Sequence, residues 1–195
     1  MAWNNWYHIT ANPYGQWLRG DARGWGERKH RIHVEGDYRN PPTPSNYQRA
    51  LHEQSKRLMK HPAVEFSPDQ RRQVAVLFLE SLAIQQIRVL AIGVGAKHLH
   101  ALIQCPADNP KTIIGKAKNH VWMRMVNGSD RLKLRTDIPP LWAVGLHPEP
   151  ICDGAHHVDA FWYILDHRDE GAWVWCFQCP RDGSRLCRHV RQESW

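Results

Sequence analysis

Residues 87–105 read IRVLAIGVGAKHLHALIQC, and this stretch decides the fold. Ile87 to Gly95 is an almost unbroken apolar run, short enough for a buried strand and ended by glycine. From His98 the pattern changes. Leu99, Ala101 and Ile103 alternate with His98, His100 and Gln104, which is the period-2 signature of a second strand. Two strands joined by so short a link are neighbours and antiparallel. Alternation also puts His98 and His100 on one face, about 7 Å apart along the strand.

Helices flank this hairpin in sequence. FSPDQ, from Phe66, signals a helix start: Ser67 can cap it, Pro68 suits its first turn, and Gln70 completes a capping box. Val74, Leu77, Phe78 and Leu82 then recur at helical spacing. A polar helix precedes it over YQRALHEQSKRLMK. NPKTIIGKAKNHVWMRM, from Asn109, is another helix, with Ile113, Ile114, Val121 and Met125 on its apolar side. WYHITA near the start and LWAVGL at 141–146 read as strands, and HHVDAFWYILDHRDEG is a last helix ending at Gly171. Strands mixed with helices around a hairpin predict an α+β sandwich with a mainly antiparallel sheet.

The chain has 195 residues, enough for one domain with a small appendage. Lys and Arg number 26 against 19 acids, a net charge of +7, so a polyanion is the expected partner class. Ten tryptophans, several among basic residues, suit stacking on exposed bases. No stretch approaches the length of a membrane span. MAWNNWYHIT has no basic segment followed by an apolar one. With five cysteines, an odd number, the expectation is a cytoplasmic protein with reduced thiols. Cys176, Cys179, Cys187 and His189 form a possible zinc set, but the spacing of its second half is too tight for a usual finger, and incidental cysteines are favoured.

The last helix carries a second polar pair. Tyr163 and His167 are one turn apart and share a face. A tyrosine there can be a nucleophile toward phosphorus, provided a base or a metal-polarised electrophile lies nearby, because a free phenol titrates near 10. Two histidines on a strand, a His–Tyr pair on a helix and a basic, aromatic surface together describe metal-assisted phosphoryl transfer on a nucleic-acid strand. Imidazole donors suit Mn²⁺, and phosphate oxygens in the shell also admit Mg²⁺.

These motifs resemble those of the HUH single-tyrosine transposases, and among them the REP-associated tyrosine transposases. HLH in a strand is followed some 60 residues on by a tyrosine in a YI helix. HITANPYGQWLRGDARGW, from His8, is similar to the family's opening segment, and YILDHRDEGAWVW, from Tyr163, resembles its tyrosine-helix ending. The resemblance implies a ferredoxin-like sheet, a catalytic domain over 1–175 and a basic, cysteine-containing tail over 176–195. It implies metal-dependent cleavage and strand transfer of single-stranded DNA, often with a hairpin, through a 5′-phosphotyrosine. His98 and His100 carry over as metal ligands and Tyr163 as nucleophile. The family often has an amide one turn after the tyrosine; here His167 stands there as a third ligand. Trp17, Arg19, Arg23 and Trp25 are the expected strand or hairpin contacts and Lys97 a phosphate contact, while Lys116, Lys118 and Arg124 read either as further phosphate contacts or as a solvated helix face. A homodimer is a further expectation. The alternative is a domesticated relative that binds nucleic acid without catalysis.

Overall fold

The strand pair of residues 87–105 lies inside a five-stranded antiparallel sheet in the computed structural model, which describes residues 2–26, 31–32, 41–105, 109–126 and 139–177. In chain order the described elements are β1 (Trp6–Ala11), β2 (Trp25–Gly26), β3 (Arg31–Ile32), α1 (Asn46–Arg57), α2 (Pro68–Ile84), β4 (Arg88–Val94), β5 (Leu99–Gln104), α3 (Pro110–Val126), β6 (His147–Pro150), α4 (Gly154–Asp166) and β7 (Trp173–Cys176). The sheet runs β6-β1-β5-β4-β7, and β2 and β3 pair separately. The elements β1, α2, β4, β5, α3 and β6 form a βαββαβ unit with its fourth and first strands side by side, then its third and second. That is the ferredoxin-like order, extended by β7 on the β4 edge.

Both faces of the sheet are covered. Ile9, Ala11, Ile92, Val94, Leu99, Ala101 and Ile103 pack against α2 and α3 through Val74, Phe78, Leu82, Ile114 and Val121. The opposite face puts Ala91 and Leu102 against Ala160, Ile164 and Leu165 of α4. Each fully buried Leu, Ile or Phe contributes roughly 1.5–3 kcal/mol, so the apolar run of β4 and the alternate residues of β5 hold the layers together. Capping boxes start α1 at Ser45 and Gln48 and α2 at Ser67 and Gln70.

Gly93 is what lets α4 lie so close. A Cβ there would stand 3.2 Å from the Ile164 carbonyl oxygen and 3.4 Å from its Cγ2. Gly93→Val therefore overpacks the β4–α4 contact and should cost about 1–3 kcal/mol, read as a lower midpoint in urea. A midpoint equal to or above wild type would mean that the contact is loose.

Two expectations need correction. No strand forms over 141–146; Trp142 there is buried, and its indole N–H donates to the Lys118 carbonyl at 3.0 Å. The apolar residues of that run pack as a loop. The strand follows at His147–Pro150, on the sheet edge, where proline's missing N–H does least harm. The last helix stops at Asp166, short of Gly171, and residues beyond it turn into β7. Cys176 lies buried on β7. Cys179, Cys187 and His189 lie outside the described residues. No described helix is long and apolar enough to cross a membrane.

Candidate metal centre and its tyrosine

Strand pairing builds the floor of the site. Antiparallel register sets Thr10 opposite His100 and His8 opposite Leu102 on β1 and β5, and Gly93 opposite His100 on β4. Residues opposite each other share a face, so His8, Thr10 and His100 all point toward α4. His98 sits one residue before β5 begins. Its ring still lies beside that of His100, with centroids 5.0 Å apart.

Helix α4 supplies the roof. Asp153 caps its start, accepting from the His156 N–H at 2.8 Å, while Ile164 and Leu165 anchor it to the sheet. Tyr163 and His167, one turn apart, then overhang the histidines. The His167 ring lies 4.9 Å from His98 and 4.8 Å from His100, and Tyr163 lies 5.3 Å from His100 and 4.7 Å from His167, all between centroids. Nitrogens of His98, His100 and His167 fall within 4.8 Å of one another, close enough to hold one metal ion.

The donor chemistry fits a metal. The Nε2 of His98 is buried with no hydrogen-bond partner, a cost of about 1–3 kcal/mol that a bound cation would offset. His167 Nδ1 is 2.7 Å from the Tyr163 carbonyl oxygen. A carbonyl only accepts, so Nδ1 carries the proton and Nε2 keeps its lone pair. Burial pushes the pKa of His98 down to about 4, aided by His167, and pushes His100 well below the ordinary value. Neutral imidazole is the ligating form.

These depressed values have a consequence for the metal-free protein. The unfolded chain takes up protons near 6.5, whereas folded His8 and His98 resist until about 4. Stability is therefore full above about 6.5 and is lost as pH falls toward 4. With chelator present, the melting temperature should drop between pH 6.5 and 4.5. A flat profile would mean that these rings are hydrated.

His8 belongs to this cluster and was not anticipated. Its Nε2 lies 3.1 Å from His100 Nδ1. The signal was present in WYHITA, where Trp6, His8 and Thr10 alternate with Tyr7, Ile9 and Ala11, but only the register with β5 brings His8 to the site.

The other expected contacts scatter. Arg23 forks onto Asp21 at 2.9 and 2.6 Å and lies 4.5 Å from the Trp17 ring centroid, so these groups spend their chemistry on one another. Arg23 is nonetheless near enough to His98 to lower its pKa further. Trp25 is 6% exposed, which leaves little ring for stacking. Arg19 is exposed, and its carbonyl accepts from Ser55 at 3.2 Å. Lys97 pairs with Glu65 at 2.9 Å. Lys116, Lys118 and Arg124 ride on α3, across the sheet from the histidines. Lys116 is exposed. Lys118 is a structural pin: its ammonium donates to the carbonyls of Ala143 and Gly145 at 2.9 and 2.7 Å, and burial lowers its pKa to about 8. Arg124 pairs with Glu80 at 3.3 Å.

Fold and site together define an α+β domain of ferredoxin-like order carrying three converging histidines beneath a helical tyrosine. No family model and no curated protein matches the chain. Among solved structures it is similar to the REP-associated tyrosine transposase bound to a REP hairpin. The identity is 9% and the TM-score 0.46, over 88% of this chain and 70% of that one.

Proposed function

We propose that this chain cleaves and rejoins single-stranded DNA, with Tyr163 as nucleophile and His98, His100 and His167 holding Mg²⁺ or Mn²⁺. The observation that carries the reading is the convergence of those three imidazoles on one point beside the Tyr163 ring. The sequence resemblance to HUH single-tyrosine transposases supports it independently, and so does the net charge of +7, which suits a polyanion. A metal ion held there supplies polarisation of a phosphate oxygen.

The chain's own groups do the rest. The Tyr163 oxygen attacks the scissile phosphorus, the bond to O3′ breaks, and a free 3′-OH is left beside a 5′-phosphotyrosine. Attack by a second 3′-OH reverses the step and joins strands. Bond energy stays in the protein–DNA link, so no nucleotide is consumed. Helix α4 holds the attacking oxygen over the ligand cluster, and such positioning is a large part of catalysis. The domain over 1–175 carries the chemistry, and the hairpin, where present, gives recognition.

The test is incubation with Mn²⁺ and single-stranded oligonucleotides drawn from DNA flanking the gene. A covalent protein–DNA adduct is expected. Binding without any adduct across such oligonucleotides would favour a nucleic-acid-binding protein without catalysis.

A further inference from the structure

We propose that His8 is a positioning residue that sets the tautomer of His100, keeping the proton on Nδ1 and leaving Nε2 bare to bind the metal. This rests on the proposed metal centre.

His100 is 6% exposed, and its Nδ1 meets two groups, His8 Nε2 at 3.1 Å and Thr10 Oγ1 at 3.2 Å. Those contacts leave Nε2 as its available ligand atom. A neutral imidazole has one proton, so Nε2 has a lone pair only when Nδ1 holds that proton and donates it. Thr10 cannot enforce this, because a hydroxyl rotates to accept or donate with equal ease. His8 can. If His8 carries its proton on Nδ1, its Nε2 is an acceptor, and His100 must donate.

The neighbour of His8 favours that state. β6 pairs with β1 so that Glu149 stands directly opposite His8, and its carboxylate lies 4.0 Å from His8 Nδ1. That distance is too long for a hydrogen bond, but the negative charge prefers the N–H end of the imidazole to face it. The chain of influence runs from Glu149 to His8 to His100, each step fixed by strand register. His167 reaches the same result by another route, with Nδ1 donating to a backbone carbonyl. Two ligands are thus held with Nε2 outward by unrelated partners, as expected where outer groups orient metal-binding histidines.

Two measurements on the full chain test this. In the metal-free protein, imidazole ¹⁵N shifts should report His100 protonated on Nδ1, and His8→Phe should release a mixture of tautomers. Mn²⁺ titration by calorimetry should find affinity 10–100-fold weaker in His8→Phe. His8→Gln, whose amide oxygen can accept the same hydrogen but whose nitrogen can also donate, should lose less affinity than His8→Phe. A merely structural His8 would move melting temperature but not the tautomer. Protonation of His100 on Nε2 in the wild type, or unchanged tautomer and affinity in His8→Phe, overturns the proposal. If wild type binds no Mn²⁺ while the shifts behave as expected, the metal centre fails and the role of His8 stands.

Discussion

Tyr163→Phe should fold and bind DNA normally, yet form no covalent adduct and cleave no strand. The substitution removes one oxygen and keeps the ring, so the edge contacts to His8, His100 and His167 survive. Losing one hydrogen bond costs about 0.5–1.5 kcal/mol, too little to unfold the domain. Chemistry loses its attacking atom, and enzymes deprived of such a group fall by about 10⁴-fold or more. Among the described residues the other tyrosines offer no substitute. Tyr7 is 8% exposed on the opposite side of β1, among the core residues under α2 and α3, and Tyr47 is 73% exposed on α1. Tyr14 faces His61, and Tyr38 lies outside the described residues. Peptide mapping of the trapped adduct decides the matter: a link to another tyrosine, or normal cleavage by Tyr163→Phe, sinks the assignment.

Short-range pattern and long-range pairing divide what the sequence could disclose. The β4–β5 hairpin, the Ser67 cap and the stripe of α2 were legible because each is encoded within a few residues. The histidine pair and the Tyr163–His167 turn were legible for the same reason. His8 was not, because its place beside His100 depends on strands 92 residues apart. Edge strands misled in both directions. LWAVGL has strand composition but packs as a loop, whereas His147–Pro150 pairs with β1 despite two prolines. The sequence likewise pointed to Arg23 as a strand or hairpin contact and to Lys118 as a phosphate contact, and the acceptors they meet, Asp21 and two loop carbonyls, depend on loop geometry that short-range pattern does not encode.

Removing both histidines of the HLH motif should abolish metal binding and cleavage, but the choice of replacement matters. A strand face open to water would tolerate two alanines. His100, however, is buried in a central strand, with His8 and Thr10 on its Nδ1. Alanine there opens a cavity and strips His8 Nε2 of a partner, a loss of about 1–3 kcal/mol. Failed cleavage by the double alanine variant would then confuse misfolding with lost chemistry. His98→Ala/His100→Asn separates them. Asparagine's side-chain amide reaches the Nδ1 position of the ring, so the contacts to His8 and Thr10 persist, while nothing remains at Nε2. His98→Ala loses the packing of a ring but also removes a nitrogen that is buried without a partner, which offsets part of that cost in the metal-free protein. The pair should melt within a few degrees of wild type, lose Mn²⁺ affinity by about 100-fold or more, and form no adduct. His167→Ala should be milder, about 10–100-fold in affinity, because two ligands remain. Cleavage at wild-type rate by the folded Ala/Asn variant, at Mn²⁺ near the wild-type Kd, would remove the metal from the reaction and leave Tyr163 in need of another activator.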